Sequence, residues 1–208
     1  MKRFLVMVAV VVMVVGMVWM ATADEKKYDW TVYENAPGYS YDKFEKKWEI
    51  YATYKKQYSD ANLVFGLMLG GGKESVYGPP ALYGWIRDKK NTEGLYQITS
   101  VNVLIDDTLV TFKTLVGDKE QWNVLIDSEN GMIFAKKLSN AKSISIRYKY
   151  KTGTISVDLE EKDIDRFRNF GKLLVENDPW QFIHNEKGYT KAVYDKAIKE
   201  RWPMEIDE

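Results

Sequence analysis

Between residues 143 and 159 the sequence fixes its own geometry. Ile144, Ile146, Tyr148 and Tyr150 alternate with Ser143, Ser145, Arg147 and Lys149. After Lys151-Thr152-Gly153 the pattern resumes, with Ile155, Val157 and Leu159 set against Thr154, Ser156 and Asp158. Successive side chains of a strand point to opposite faces, so each arm has a dry side and a wet side. Two such arms joined by a glycine-containing turn predict an antiparallel hairpin, in a sheet covered on one face only.

The same periodicity extends upstream. Leu95–Ile105 places Val101, Val103 and Ile105 on one face, Leu109–Val116 pairs Val110 with Phe112, and Gln121–Ile126 aligns Trp122, Val124 and Ile126. Leu82–Arg87 and the short apolar run Asn62–Leu69 read as further strands. Asp106-Asp107, Gly117–Lys119 and the acidic run Asp127–Gly131 supply turn chemistry between them. Residues 41–58 fit two periods. Phe44, Trp48, Tyr51, Lys55 and Tyr58 sit at roughly helical spacing, whereas Trp48, Ile50, Ala52 and Tyr54 fit a strand. The reading adopted is an irregular or helical start to about residue 46, then a strand over 47–55. Gly70–Pro80 reads as a loop, because glycines weaken an element and Pro79-Pro80 cannot join a ladder.

Met132–Leu138 predicts a short helix. Acids at 160, 161 and 163 open a longer one over about 160–176, with Ile164, Phe167, Phe170 and Leu174 as its apolar stripe. A last helix over about 189–202 carries Val193, Tyr194, Ala197, Ile198 and Trp202, and Pro203 stops it. The expected fold class is α+β: an antiparallel meander or sandwich-like core over about 47–159 with C-terminal helices. Residues 24–46 form a leader, and 47–208 form a single β-rich domain.

The N-terminus predicts an address rather than a fold. Lys2 and Arg3 precede an uncharged run from Phe4 to Met20, followed by Ala21-Thr22-Ala23 and then Asp24-Glu25-Lys26-Lys27. A basic start, an apolar core and an A-x-A site are the parts of a secretory signal peptide. The run sits at the lower edge of the roughly 17–25 residues that span a bilayer. The expectation is a signal over 1–23, cleavage after Ala23, and a periplasmic or secreted product with no stable membrane insertion.

Composition removes several chemistries. There is no cysteine, so thiol catalysis, disulfides and thiolate zinc sites are excluded. Without Lys2 and Arg3, 28 basic residues face 30 acidic ones, a balance that lacks the basic excess of a nucleic-acid binder. Gly72-Lys73 is followed by Glu74 rather than Ser or Thr, and Leu67 stands where a P-loop needs glycine. His184 is the single histidine and no serine lies in a G-x-S-x-G frame, so a hydrolase triad has little to draw on. Neither Asp106-Asp107 nor Asp127–Asn130 follows an EF-hand pattern. No cofactor and no metal is expected.

What remains is aromatic. The chain has 14 Tyr and 7 Trp, and Tyr77, Tyr83 and Trp85 flank the glycine/proline stretch beside Lys73. Aromatic faces near a loop can stack sugars or hold a protein surface. Packing of Tyr83 and Trp85 inside the sheet is the plainer reading. The leading expectation is an exported, non-catalytic binding or interaction module of the cell envelope, with ligand contacts at Tyr77, Tyr83, Trp85 and Lys73. The runner-up is a metal-independent hydrolase of cell-wall or other polysaccharide using paired carboxylates; no particular pair is nominated by the sequence.

Overall fold

Alternation becomes strand wherever one face can be buried. The computed structural model describes residues 27–58, 61–88, 98–113, 121–150, 153–183, 191–201 and 203–207. The signal expected over 1–23, the turn expected at 117–119, the hairpin turn residues Lys151 and Thr152, His184 and Trp202 lie outside the described residues, as does the side chain of Trp122. The strands are β1 (Tyr39–Asp42), β2 (Lys47–Gln57), β3 (Ala61–Gly71), β4 (Ala81–Asp88), β5 (Ile98–Ile105), β6 (Thr108–Lys113), β7 (Gln121–Leu125), β8 (Ile144–Tyr150), β9 (Gly153–Asp158) and β10 (Met204–Asp207). The helices are α1 (Ser128–Ser139), α2 (Glu161–Asn177) and α3 (Lys191–Arg201). The class is α+β, mostly strand, with two five-stranded antiparallel sheets ordered β1-β2-β3-β4-β7 and β10-β6-β5-β8-β9.

The hairpin forms as its alternation requires. Ile146 pairs with Val157 and Arg147 with Ser156. Ile144, Ile146 and Tyr148 are buried, while Arg147, Ser156 and Asp158 are exposed. The Tyr148 hydroxyl donates to the Val64 carbonyl at 2.7 Å, which ties the second sheet to the first. The ambiguous 41–58 stretch resolves as strand from Lys47, with Trp48, Ile50, Ala52 and Tyr54 inward. The helical alternative fails at Phe44, which is fully exposed. It sits in a turn held by Asp42, whose carboxylate accepts from the backbone N–H of Phe44 and Glu45. The leader segment contributes a 3₁₀ turn, Trp30–Tyr33, and the edge strand β1, and Tyr33 stacks on Trp48 at 4.4 Å.

Three expectations need correction. Gly70 and Gly71 are not loop residues but the end of β3, paired with Glu49 and Trp48. Glycine is needed at 71 for close approach, since a Cβ there would fall 2.6 Å from Trp48 Cζ2. Asp127–Gly131 is not a turn. Asp127, 1% exposed, is the N-cap of α1 and accepts from Asn130 N at 3.1 Å and Asn130 Nδ2 at 3.0 Å. The stripe expected on the last helix is largely outside: Val193 is 47% exposed, and Ile198 is the buried residue of α3. That helix is held by polar contacts instead. Asp195 accepts from the backbone N–H and the hydroxyl of Ser128, and Lys199 pairs with Glu129. Beyond Pro203, the sequence pattern missed β10, which pairs with β6 from Met204↔Phe112 to Asp207↔Leu109.

Between the sheets the core is aromatic. Phe65 meets Tyr148 edge-on at 6.5 Å and Phe167 at 5.4 Å, and Phe112 meets Phe134 at 5.5 Å. The indole N–H of Trp180 donates to the Ile126 carbonyl at 2.9 Å. Helices α1 and α2 approach closely at Gly171, where a Cβ would lie 2.7 Å from Ser139 N. Asp178, at φ 43°, ends α2, and Pro179 starts the following 3₁₀ turn.

Candidate functional site

The glycine-rich segment folds back on itself as an extension of β3. Gly71 bridges Val76, Gly72 N donates to the Ser75 carbonyl at 2.9 Å, and Tyr77 N donates to the Gly70 carbonyl at 3.0 Å. The reversal is clamped from below. The Tyr28 hydroxyl and the Trp48 indole N–H both donate to the Gly72 carbonyl, at 2.8 and 2.9 Å. Burial pushes the Tyr28 phenol up to about 12, with the Trp48 hydrogen bond opposing. Val76 is fully buried, and its N–H donates to the Phe182 carbonyl at 3.0 Å.

With Val76 pointing in, Tyr77 points out and is 44% exposed. Its ring lies over Gly72, where a Cβ would be 2.6 Å from the Tyr77 hydroxyl, and Lys47 Nζ sits 5.8 Å from its centroid. The period of two carries this outward face along the first sheet. On β2 the outward residues are Glu49, Tyr51 and Thr53; on β3 they are Val64, Gly66, Met68 and Gly70. On β4 Tyr83 is opposite Gly66, and its ring end covers that glycine, where a Cβ would be 2.4 Å away. Gly66 and Gly72 thus leave room for two tyrosine rings against the sheet.

These rings are fixed by partners. The Tyr83 hydroxyl is bonded to the Thr53 hydroxyl, and the Tyr51 hydroxyl donates to Glu49 Oε2 at 2.6 Å. Tyr51 and Tyr83 meet at right angles with centroids 6.1 Å apart. Burial raises the pKa of both phenols; the hydrogen bond to Glu49 raises that of Tyr51 further, and the Thr53 hydrogen bond opposes the shift in Tyr83. These two phenols therefore stay protonated at neutral pH and offer ring surface with anchored hydroxyls beside Glu49.

The expected site residues are partly brought together. Tyr77 and Tyr83 share this face. Lys73 leans the other way, its Nζ 5.3 Å from the Trp30 ring. Trp85 pairs through its backbone with Gln121 on the neighbouring strand, and its side chain lies outside the described residues. Tyr51 belongs to the face and was missed. Its signal was the strand phase, which sets Tyr51 opposite in direction to Trp48 and Ile50.

Acid chemistry has less to work with. One hollow of about 390 Å³, between residues 32–37 and α2, is lined by a single carboxylate, Glu176. Another of about 350 Å³, on the second sheet, also has one, Asp158. Among the described residues no cluster of three or more metal-ligating side chains occurs, and no helix is long and apolar enough to cross a membrane. Comparison with protein-family models, with curated proteins and with solved structures gave no match.

Proposed function

We propose that this chain is an exported, non-catalytic binding module that recognises a glycan or protein component of the cell envelope through the tyrosine face of its first sheet. The observation that carries the reading is the set of three part-exposed tyrosines, Tyr51, Tyr77 and Tyr83, two of them laid over glycines, Tyr83 over Gly66 of β3 and Tyr77 over Gly72 just past its end. Rigid aromatic rings with fixed hydroxyls present contact area at little conformational cost. Export rests on the basic, apolar and A-x-A succession of residues 1–23, with release after Ala23 into the periplasm or the medium. N-terminal sequencing of the product from an expressing cell tests that step, and an intact Met1 in a membrane fraction would overturn it.

Binding and catalysis separate in one experiment. Purified protein is mixed with peptidoglycan and with a panel of insoluble polysaccharides, and both retention and release of soluble sugar are measured. Retention without release is expected. Tyr77→Ala should weaken retention about tenfold or more, an amount equal to at least ~1.4 kcal/mol, with an almost unchanged melting temperature. Sugar release abolished by replacing one carboxylate would establish the hydrolase instead. Retention unaffected by Tyr77→Ala and by Tyr51→Ala would remove this face from the reading.

A further inference from the structure

Among the described residues, the outward face of the second sheet holds a buried amide oxygen with no hydrogen-bond partner. Asn102 stands in the middle of β5, between Thr111 of β6 and Arg147 of β8. It is only 9% exposed, and its Oδ1 is sealed from solvent without a hydrogen-bond partner. Strand neighbours Val101 and Val103 point into the core, so the amide faces the opposite side, among residues that could as well have been aliphatic. A buried amide left unpaired is a standing cost, and native proteins rarely keep one without a use.

Beside it lies the hollow of about 350 Å³. One wall is apolar: Leu104 and Leu109 face each other across β5 and β6, and Leu104 is 40% exposed. The other wall is polar and already ordered. Arg147 leans away from Asn102, donating from Nε to the Ser156 hydroxyl at 3.1 Å, and the Ser145 hydroxyl donates to Asp158 Oδ1 at 2.5 Å. Those bonds leave both terminal nitrogens of Arg147 and Oδ2 of Asp158 without a described partner.

We infer that this hollow is a binding site for a single pyranose ring. Amide, guanidinium and carboxylate are each planar and present two heteroatoms side by side, the spacing that engages vicinal hydroxyls. A hydroxyl both donates and accepts, so one neutral ligand serves Arg147 and Asp158 together, and Asn102 as well once its amide turns about Cβ–Cγ to bring Oδ1 from its sealed position into the hollow the residue lines. Its C–H face rests on Leu104 and Leu109. The volume falls within the range of small-molecule sites. A zwitterion would match the two charges, but both side chains are solvent-exposed, where ion pairing contributes little, and the buried group is the neutral amide. This site stands apart from the tyrosine face, on the other sheet, and either can fail alone.

The test is a two-dimensional NMR titration of the purified protein with methyl β-D-glucopyranoside, methyl β-D-galactopyranoside and N-acetylglucosamine, and with L-leucine as the zwitterionic comparison. Saturable shifts of the Asn102 side-chain amide and the Leu104 and Leu109 methyls are expected with at least one sugar and not with L-leucine. Asn102→Ala should weaken that binding about tenfold or more. Arg147→Lys, which keeps the charge but loses the fork, and Leu104→Ala should each weaken it several-fold; both positions are on the surface, so folding is not at stake. Asn102→Val should raise the melting temperature while abolishing the shifts, the signature of an amide kept for a ligand. No saturable shift with any of the three sugars, shifts that survive Asn102→Ala, or a response to L-leucine alone would overturn the assignment.

Discussion

Gly171→Ala sets two opposed effects against each other. The residue lies in the buried stripe of α2, between Phe170 and Leu174. Alanine is the better helix former by about 1 kcal/mol, so helix propensity alone predicts a more stable protein. Packing predicts the reverse. The added methyl would meet Ser139 N at 2.7 Å, Leu138 Cβ at 2.8 Å and the Ala135 carbonyl oxygen at 2.9 Å. Ordinary contact begins near 3.4 Å, and two of the three atoms are backbone, so no rotamer change relieves the overlap. Helix α1 must move outward by about half an ångström or more, which forfeits a quarter to a half of each dispersion contact it leaves. Overpacking costs about 1–3 kcal/mol, and overlaps this close with backbone put the site in the upper half of that range, about 2–3 kcal/mol, from which the ~1 kcal/mol propensity gain is subtracted. The expected net loss is about 1–2 kcal/mol, or a melting temperature lower by about 2–8 °C for a chain of this size. Urea unfolding measures it, with an unchanged m-value as the check on two-state behaviour. Lys172→Gly, one residue on and exposed, isolates the propensity term and should cost about 1 kcal/mol. A Gly171→Ala protein as stable as the parent, or more so, would refute the close approach of the two helices.

The hairpin faces are tested by a pair of substitutions. Ile146→Asp puts a charge at a position with no solvent exposure and should cost more than about 4 kcal/mol; exposed Arg147→Asp should cost about 1 kcal/mol or less. Equal melting shifts would mean the faces are misassigned. At high pH the tyrosines set the limit. Burial pushes Tyr28 and Tyr54 up to about 12, against about 10 in an unfolded chain. A raised folded-state pKa means this contribution is complete below pH about 10 and is lost as pH rises through about 12. In a site-resolved NMR titration the Tyr28 and Tyr54 rings should therefore ionise only together with loss of near-UV circular dichroism; ionisation of either at pH about 10 in a still-folded protein would contradict it.

Strands were legible where one face meets the core and the other meets water, as at Ile144–Tyr150 and Thr108–Lys113. Helix α2 was legible from Ile164, Phe167, Phe170 and Leu174, all buried at helical spacing. Misreadings arose where a residue type serves a purpose other than its usual one. Glycines at 70 and 71 read as a loop because glycine weakens a strand, whereas at 71 the need is room for an indole. The acidic stretch 127–130 reads as a turn because capping a helix uses the same side chains. Helix α3 has the residues of an amphipathic stripe, but its attachment is Asp195 on Ser128, a contact across 67 positions that no local period encodes. The tyrosine face was half legible. Tyr77 and Tyr83 stood out beside glycines, whereas Tyr51 needed the phase of β2 to be settled first. Asn102 gave no signal at all, since an unpaired amide is visible only once its neighbours are in place.

β10 has a consequence for how this molecule comes into being. It adds to β6 at the rim of the second sheet, and its Glu205 pairs with Lys113 from 92 positions away. Until residues 204–207 have been delivered, whether from a ribosome or through a translocation pore, the rim of β6 is a row of unpaired amides and carbonyls open to any extended segment nearby. Contacts so distant in sequence form late and slowly, so the nascent chain passes through a stage in which α1, α2 and the 144–159 hairpin are complete and one flank of the sheet is still adhesive. A holding partner during synthesis, or rapid delivery of the final stretch, would protect that flank; a chain cut short before Met204 would keep it exposed and be prone to self-association.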